Sequence, residues 1–295
     1  VHSQINNKNI EIESLKNLLQ RNFTEIKNIS LGNISAGILT SFYDFDSMTQ
    51  GLRRGDLIAF AGRPSMGKTS LALQLARNIA GQNLPVCFFG FDLSKEELAY
   101  RILGMEVGIE IGRIRTGRFT SEEWQLVYEK NTKLESLPIF IEDKKAISID
   151  EIKNRCRDIS MKNNEKSLGL IVIDSYQLME YSNVDDYQAQ LERNTKELKN
   201  LAKELNVPVL ITAPISGRVE ERENCRPMLS DIRDSDVLED YGDIIVMLYR
   251  DEYYDPETED RGIAELIVTT HRNGPVGTVK MLFEPQFGRY RNLAA

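Results

Sequence analysis

Cysteine, histidine and long apolar runs are all scarce in this chain of 295 residues. Its three cysteines, Cys87, Cys156 and Cys225, are scattered without a CxxC pair, which excludes a disulfide framework and reads as reduced thiols in an intracellular protein. His2 and His271 are the only histidines, which argues against a His/Cys zinc site. No apolar stretch is long enough to span a bilayer, and the start lacks the charged-then-apolar pattern of a secretory signal. The chain opens on Val1 rather than Met, as a piece of a longer protein would. No internal repeat or low-complexity tract is evident. Net positive charge is also missing. A formal balance of −8 excludes a surface coated throughout for nucleic acid, yet it is compatible with a local basic track.

What is present is an apolar fraction of 41%, enough for one large α/β core with an appendage. Residues 1–33 are polar, with apolar side chains at Ile10, Ile12, Leu15, Leu18, Leu19, Phe23 and Ile26 at helix-like spacing. Two readings stand for them: a frayed tail, or a linker helix that covers a groove on a partner. Beyond that, apolar runs alternate with helix-like stretches. LIAFAG (57–62), VCFFGFDL (86–93), PIFIED (138–143), LGLIVID (168–174), VPVLITA (207–213), DIIVMLY (243–249) and AELIVTT (264–270) predict buried strands. TSLALQLARNIAG (69–81) and residues 185–206 predict helices, the second with a core-facing stripe of Leu191, Leu198, Leu201, Ala202 and Leu205. Near-continuous Val/Ile/Leu runs separated by helices predict a mainly parallel sheet covered on both faces.

The sharpest motif is GRPSMGKTS, residues 62–70. Gly62, Gly67, Lys68 and Thr69 fit the phosphate-loop spacing, with a strand before them and a helix after. Glycines let the backbone of Gly62, Arg63, Pro64, Ser65, Met66 and Gly67 curl so that N–H groups face phosphate oxygens, and the helix start at Thr69 and Ser70 adds positive potential. Lys68 reaches the β- and γ-phosphates of ATP, and the Thr69 hydroxyl can coordinate Mg²⁺. Asp174, closing an apolar run, suits the carboxylate that positions that metal, although an Asp at a strand end is often only a cap. Asp92 is the best placed general base for an attacking water. Its bland reading is loop, ahead of a capping box formed by Ser94 and Glu97.

The phosphate-loop segment, LIVIDSYQLM, RPMLSDIRDSDVLEDYGDIIVMLYRDEYY and HRNGPVGTVKMLFEP occur in order. Together they resemble the C-terminal, RecA-like motor domain of DnaB-type replicative DNA helicases, over about residues 34–293. The resemblance implies a RecA-like P-loop NTPase core at 34–295 with a linker helix segment at 1–33, the family's N-terminal domain being absent. It further implies a homohexamer that uses ATP and Mg²⁺ to move 5′ to 3′ along single-stranded DNA at a fork. Primase and a helicase loader would be partners, in the bacterial cytoplasm or a plastid stroma. Arg272 matches the finger delivered to a neighbour's nucleotide, and the loop with Arg233, Asp234 and Asp236 matches a DNA-contacting loop.

Four positions depart from the family pattern. Asp92 stands where Glu is usual, Ala213-Pro214 where Ser-Gln is usual, Thr270 where Lys is usual and Asp236 where Gly is usual. They predict altered hydrolysis and an altered grip on DNA, while the retained Lys68, Thr69, Asp174 and Arg272 predict a complete grip on the nucleotide. The alternatives to a helicase motor are an ATP-binding ring acting as a scaffold, and another RecA-like ATPase.

Overall fold

The computed structural model describes residues 12–145, 147–163, 167–179, 187–233 and 235–293. The chain divides into two units, Val1–Ala36 and Gly37–Ala295. In the first, helix α1 (Leu15–Ser30) starts at Ser14, whose hydroxyl accepts from the Asn17 N–H. Its apolar side chains Leu15, Leu19, Phe23 and Ile26 are exposed, at the spacing of one helix face. Ile10, counted with that face from the sequence, lies outside the described residues.

The second unit is built on strands β1 (Leu57–Gly62), β2 (Val86–Gly90), β3 (Ile139–Glu142), β4 (Leu170–Asp174), β5 (Val209–Pro214), β6 (Ile244–Tyr249), β7 (Ile263–His271), β8 (Gly277–Glu284) and β9 (Arg289–Asn292). They form one sheet in the order β3-β2-β4-β5-β1-β6-β7-β8-β9. The run from β3 to β6 is parallel, as the apolar strands predict. From β6 onward the pairing turns antiparallel, through β7, β8 and β9. The strand expected at 86–93 stops at Gly90, because the chain turns there to place Ser94 as the cap of the next helix.

Helices α2 (Tyr43–Thr49), α3 (Lys68–Ala80), α4 (Lys95–Val107), α5 (Ile111–Thr116), α6 (Ser121–Glu135), α7 (Ile149–Lys162), α8 (Tyr187–Leu205) and α9 (Ser235–Tyr241) complete the layers. Alternate side chains of each strand enter different cores, as the period of two requires. Ile58, Phe60, Phe88 and Val172 pack with Leu71, Leu75 and Ile79 of α3. Leu57, Ala59, Phe89 and Ile173 pack on the opposite face with Ile152 of α7 and the α8 stripe of Leu191, Leu198, Leu201 and Ala202. The parallel strands place their C-terminal ends, and the loops that follow, along one edge of the sheet. Such an edge is where open α/β sheets bind ligands.

Candidate active site

At that edge a cavity of about 580 Å³ is lined by Pro64, Ser65, Gly67, Lys68, Thr69 and Ser70 from the glycine turn, with Asp92 and Asp174 facing them. The turn needs its glycine. Gly67 sits at φ +96° as the residue before α3, and a β-carbon there would run into the Tyr290 hydroxyl and the Phe283 ring. Ser65 is also left-handed, at φ +65°. The Tyr290 hydroxyl donates to the carbonyls of Met66 (3.2 Å) and Gly67 (3.3 Å), bracing the turn from behind.

Three members of the turn do not line the cavity. Gly62 ends β1, Met66 is buried in the core, and the Arg63 side chain leaves the turn to bond the Glu220 carboxylate at 2.9 Å. To the cavity itself they contribute backbone curvature rather than side chains.

Lys68 Nζ donates to the carbonyls of Gly62 at 2.7 Å and Arg63 at 3.0 Å. Burial pushes its ammonium down to about 8; the Arg63 charge adds to that, while Asp174 and Asp92 oppose it. Asp174 is raised by its burial. Hydroxyl bonds from Thr212 (2.5 Å) and Thr69, with the charge of Lys68, partly offset this, while Asp92 pushes it further up. The cavity therefore holds a cationic amine, two carboxylates and hydroxyls below a helix start, a set suited to a phosphate chain.

A hard cation fits as well. Mg²⁺ bound with substrate phosphates needs only one or two carboxylates, and here the Thr69 hydroxyl already meets the Asp174 carboxylate. Gln177 lines the same cavity with its buried Oε1 lacking a hydrogen-bond partner, an acceptor that a metal-bound water would satisfy.

Arg272 is not in this cavity. It follows β7, and its Nε donates to the Gly242 carbonyl at 2.8 Å while Nη2 reaches the Asp240 carbonyl. It thus closes the carbonyl end of α9, where a cation is favoured. Arg233 and Asp236 line a second cavity of about 550 Å³, with Pro214, Ile215 and Asp231. Arg233 is exposed and stands 5.0 Å over the Tyr187 ring. Asp234 lies outside the described residues. Ser94 caps α4 as expected, accepting from the Glu97 N–H at 3.2 Å, but Glu97 turns its carboxylate to Arg101 and Arg115 instead of back to the cap.

The sequence reading missed Arg101, Gln177, Thr212, Arg250, Phe283 and Pro285, which also line the first cavity. Arg250 donates to the Ser65 carbonyl at 3.1 Å and lies 4.7 Å over the Phe283 ring. That stacked pair, packed in turn on Tyr290, backs the cavity behind the glycine turn. LYRDEYY and MLFEP had carried only resemblance; their signal was a strand-ending Arg and a Phe-x-Pro that the hairpin brings home.

Residues 37–292 match the model of the DnaB-like helicase C-terminal domain family. The replicative DNA helicase DnaC of Bacillus subtilis (strain 168) is 39% identical over 286 residues, which cover 95% of this chain and 62% of that protein. The chain thus spans less than two thirds of the length of the curated relatives it matches. Among solved structures, one ATPase domain superposes with a TM-score of 0.91 at 35% identity, over 96% of this chain and all of that one. A DnaB-like replicative helicase studied for its interactions with primase gives 0.87 at 34% identity, over 96% of this chain and 68% of that one.

Proposed function

The chain belongs to the DnaB-like helicase C-terminal domain family, and from that premise we propose that it is the ATP-driven motor of a replicative DNA helicase. Copies assemble as a homohexameric ring with nucleotide between subunits. The observation that carries this reading is the position of Arg272. Lys68, Thr69, Asp92 and Asp174 share one cavity, while Arg272 lies outside it after β7, which supports a reading in which a neighbouring copy supplies the finger.

The chemistry follows from the residues. Lys68 holds the β- and γ-phosphates, and the N–H groups at the start of α3 face their oxygens. Thr69 and Asp174 would hold Mg²⁺, which neutralises charge on those phosphates. Water attacks the γ-phosphorus, its proton passes to the Asp92 carboxylate, and the bond to the β–γ bridging oxygen breaks. Arg272 from the next subunit stabilises the charge on the transferred group.

Single-stranded DNA passes the loop bearing Arg233, Asp234 and Asp236, which grips phosphates without reading bases. The carboxylates there weaken that grip locally. Translocation runs 5′ to 3′ at a fork, and primase and a loader engage the ring in a bacterial cytoplasm or plastid stroma. The solved relative studied with primase supports the first of these partners. No helix among the described residues is long and apolar enough to cross a membrane.

A second reading, a ring that binds ATP and serves as a scaffold, draws on Pro214. This residue lines the nucleotide cavity and offers no polar side-chain group to it. Family membership leaves no need for a different RecA-like ATPase. Strand displacement decides between motor and scaffold. ATP-dependent unwinding of a forked duplex with a free 5′ tail is expected; intact ATP binding with no unwinding would favour the scaffold.

A further inference from the structure

The nucleotide cavity and the cavity bearing Arg233 are separate, yet Pro214 lines both. A proline side chain can carry only van der Waals contact between them. A polar connection runs beside it. Arg63, second residue of the phosphate loop, donates Nε to Glu220 at 2.9 Å and Nη1 to the Ile215 carbonyl at 3.4 Å. Both acceptors belong to the segment that carries the DNA-facing loop. Glu220 sits in the short turn Gly217–Glu221, and Gly217 leaves room beside it for the guanidinium.

From there the segment is tied forward. Ile215 bridges Ile232, and the Ser216 N–H donates to the Asp231 carbonyl at 2.7 Å. Arg222, just past the same turn, holds the Asp231 carboxylate with both guanidinium nitrogens. Arg233 is two residues further on. At the other end, the carbonyl of Arg63 itself accepts from Lys68 Nζ at 3.0 Å. A phosphate group that takes the Lys68 ammonium competes for that bond, so ligand binding is felt at Arg63.

We propose that Glu220 is a positioning residue: through Arg63 it makes the DNA-facing segment follow the state of the phosphate loop. The inference rests on the motor reading and deepens it. It differs from that reading in naming a residue that lines neither of the two cavities. Coupling of this kind is a free energy shared by two ligands, and it is measured as the change one makes in the affinity of the other.

The test uses the 295-residue chain and an oligothymidylate probe. Its affinity is measured without nucleotide and with a saturating non-hydrolysable ATP analogue plus Mg²⁺, and the ratio of the two is the coupling. Glu220→Gln should lower that ratio about fivefold. Affinity for the analogue and DNA-independent ATP hydrolysis should both stay within about twofold of the unaltered chain. The Glu220 carboxylate is 43% exposed, so the variant should fold, with a melting temperature close to that of the unaltered chain. Arg63→Gln and the double variant complete a cycle in which the double loses no more coupling than either single. An unchanged ratio in Glu220→Gln, or additive losses in the double, would overturn the link while leaving the motor reading standing. No effect of nucleotide on DNA binding in the unaltered chain would overturn both.

Discussion

Thr212 donates a 2.5 Å hydrogen bond from its hydroxyl to the Asp174 carboxylate, across the adjacent strands β5 and β4. The pair fixes the orientation of a buried acid beside Lys68 and favours its ionised form, which burial alone would oppose. Two neighbouring strands of the sheet thus supply one of the bonds that offset the burial of Asp174, beside Thr69 and Lys68 from the turn.

Thr212→Val removes that bond and should raise the Asp174 carboxyl further. In the proposed mechanism the ionised form binds the cation, and it is lost as pH falls through the folded-state value. The acid limb of kcat/KM should therefore move to higher pH, with Mg²⁺ affinity about tenfold weaker. A pH profile with the unaltered acid limb would refute this role.

Lys68 supplies a prediction of opposite sign. Its ammonium is pushed down to about 8, so the charged form, which holds phosphate in the proposed mechanism, declines above that pH. By calorimetry in excess Mg²⁺, ADP affinity should fall roughly tenfold between about pH 7 and about pH 9, the fraction protonated falling by that factor. Lys68→Ala should abolish both nucleotide binding and hydrolysis. Survival of either would remove the phosphate-loop assignment.

Much of this site was legible in the sequence because it is local. The glycine turn, the strand before it and the helix after it are contiguous, and Asp174 ends a run whose apolar pattern admits only a buried strand. Asp92 was harder to place: its strand stops at Gly90 because Ser94 caps the following helix, so the acid sits on the turn between them. The wall made by Arg250, Phe283 and Pro285 was not legible, since it depends on the antiparallel pairing of β6, β7 and β8. Such register is a property of long-range contacts, and a short alternating strand such as TVKMLFE does not announce its neighbours. Likewise, nothing in GRPSMGKTS indicates that Arg63 turns its side chain toward Glu220.

Asp92 tests the chemical step. Asp92→Asn should lower kcat roughly a hundredfold with little change in nucleotide affinity. Asp92→Glu, which lengthens the reach by one methylene, should raise kcat if distance to the water limits the rate. Equal turnover in all three proteins would assign proton transfer elsewhere.

Arg272→Ala should lower kcat about a thousandfold while each subunit still binds nucleotide. If the finger acts on the next subunit, as proposed, mixing variant and unaltered chains should depress activity by more than the variant fraction. A strictly proportional loss would mean that Arg272 serves its own subunit, as a cap on α9.

The most direct measurement is steady-state ATP hydrolysis by the assembled particle, with and without single-stranded DNA, beside a parallel binding assay. A translocating motor should hydrolyse ATP faster when DNA is added, and lose that stimulation when Lys68 is changed to Ala. Tight, Mg²⁺-dependent ATP binding with a rate indifferent to DNA would contradict it.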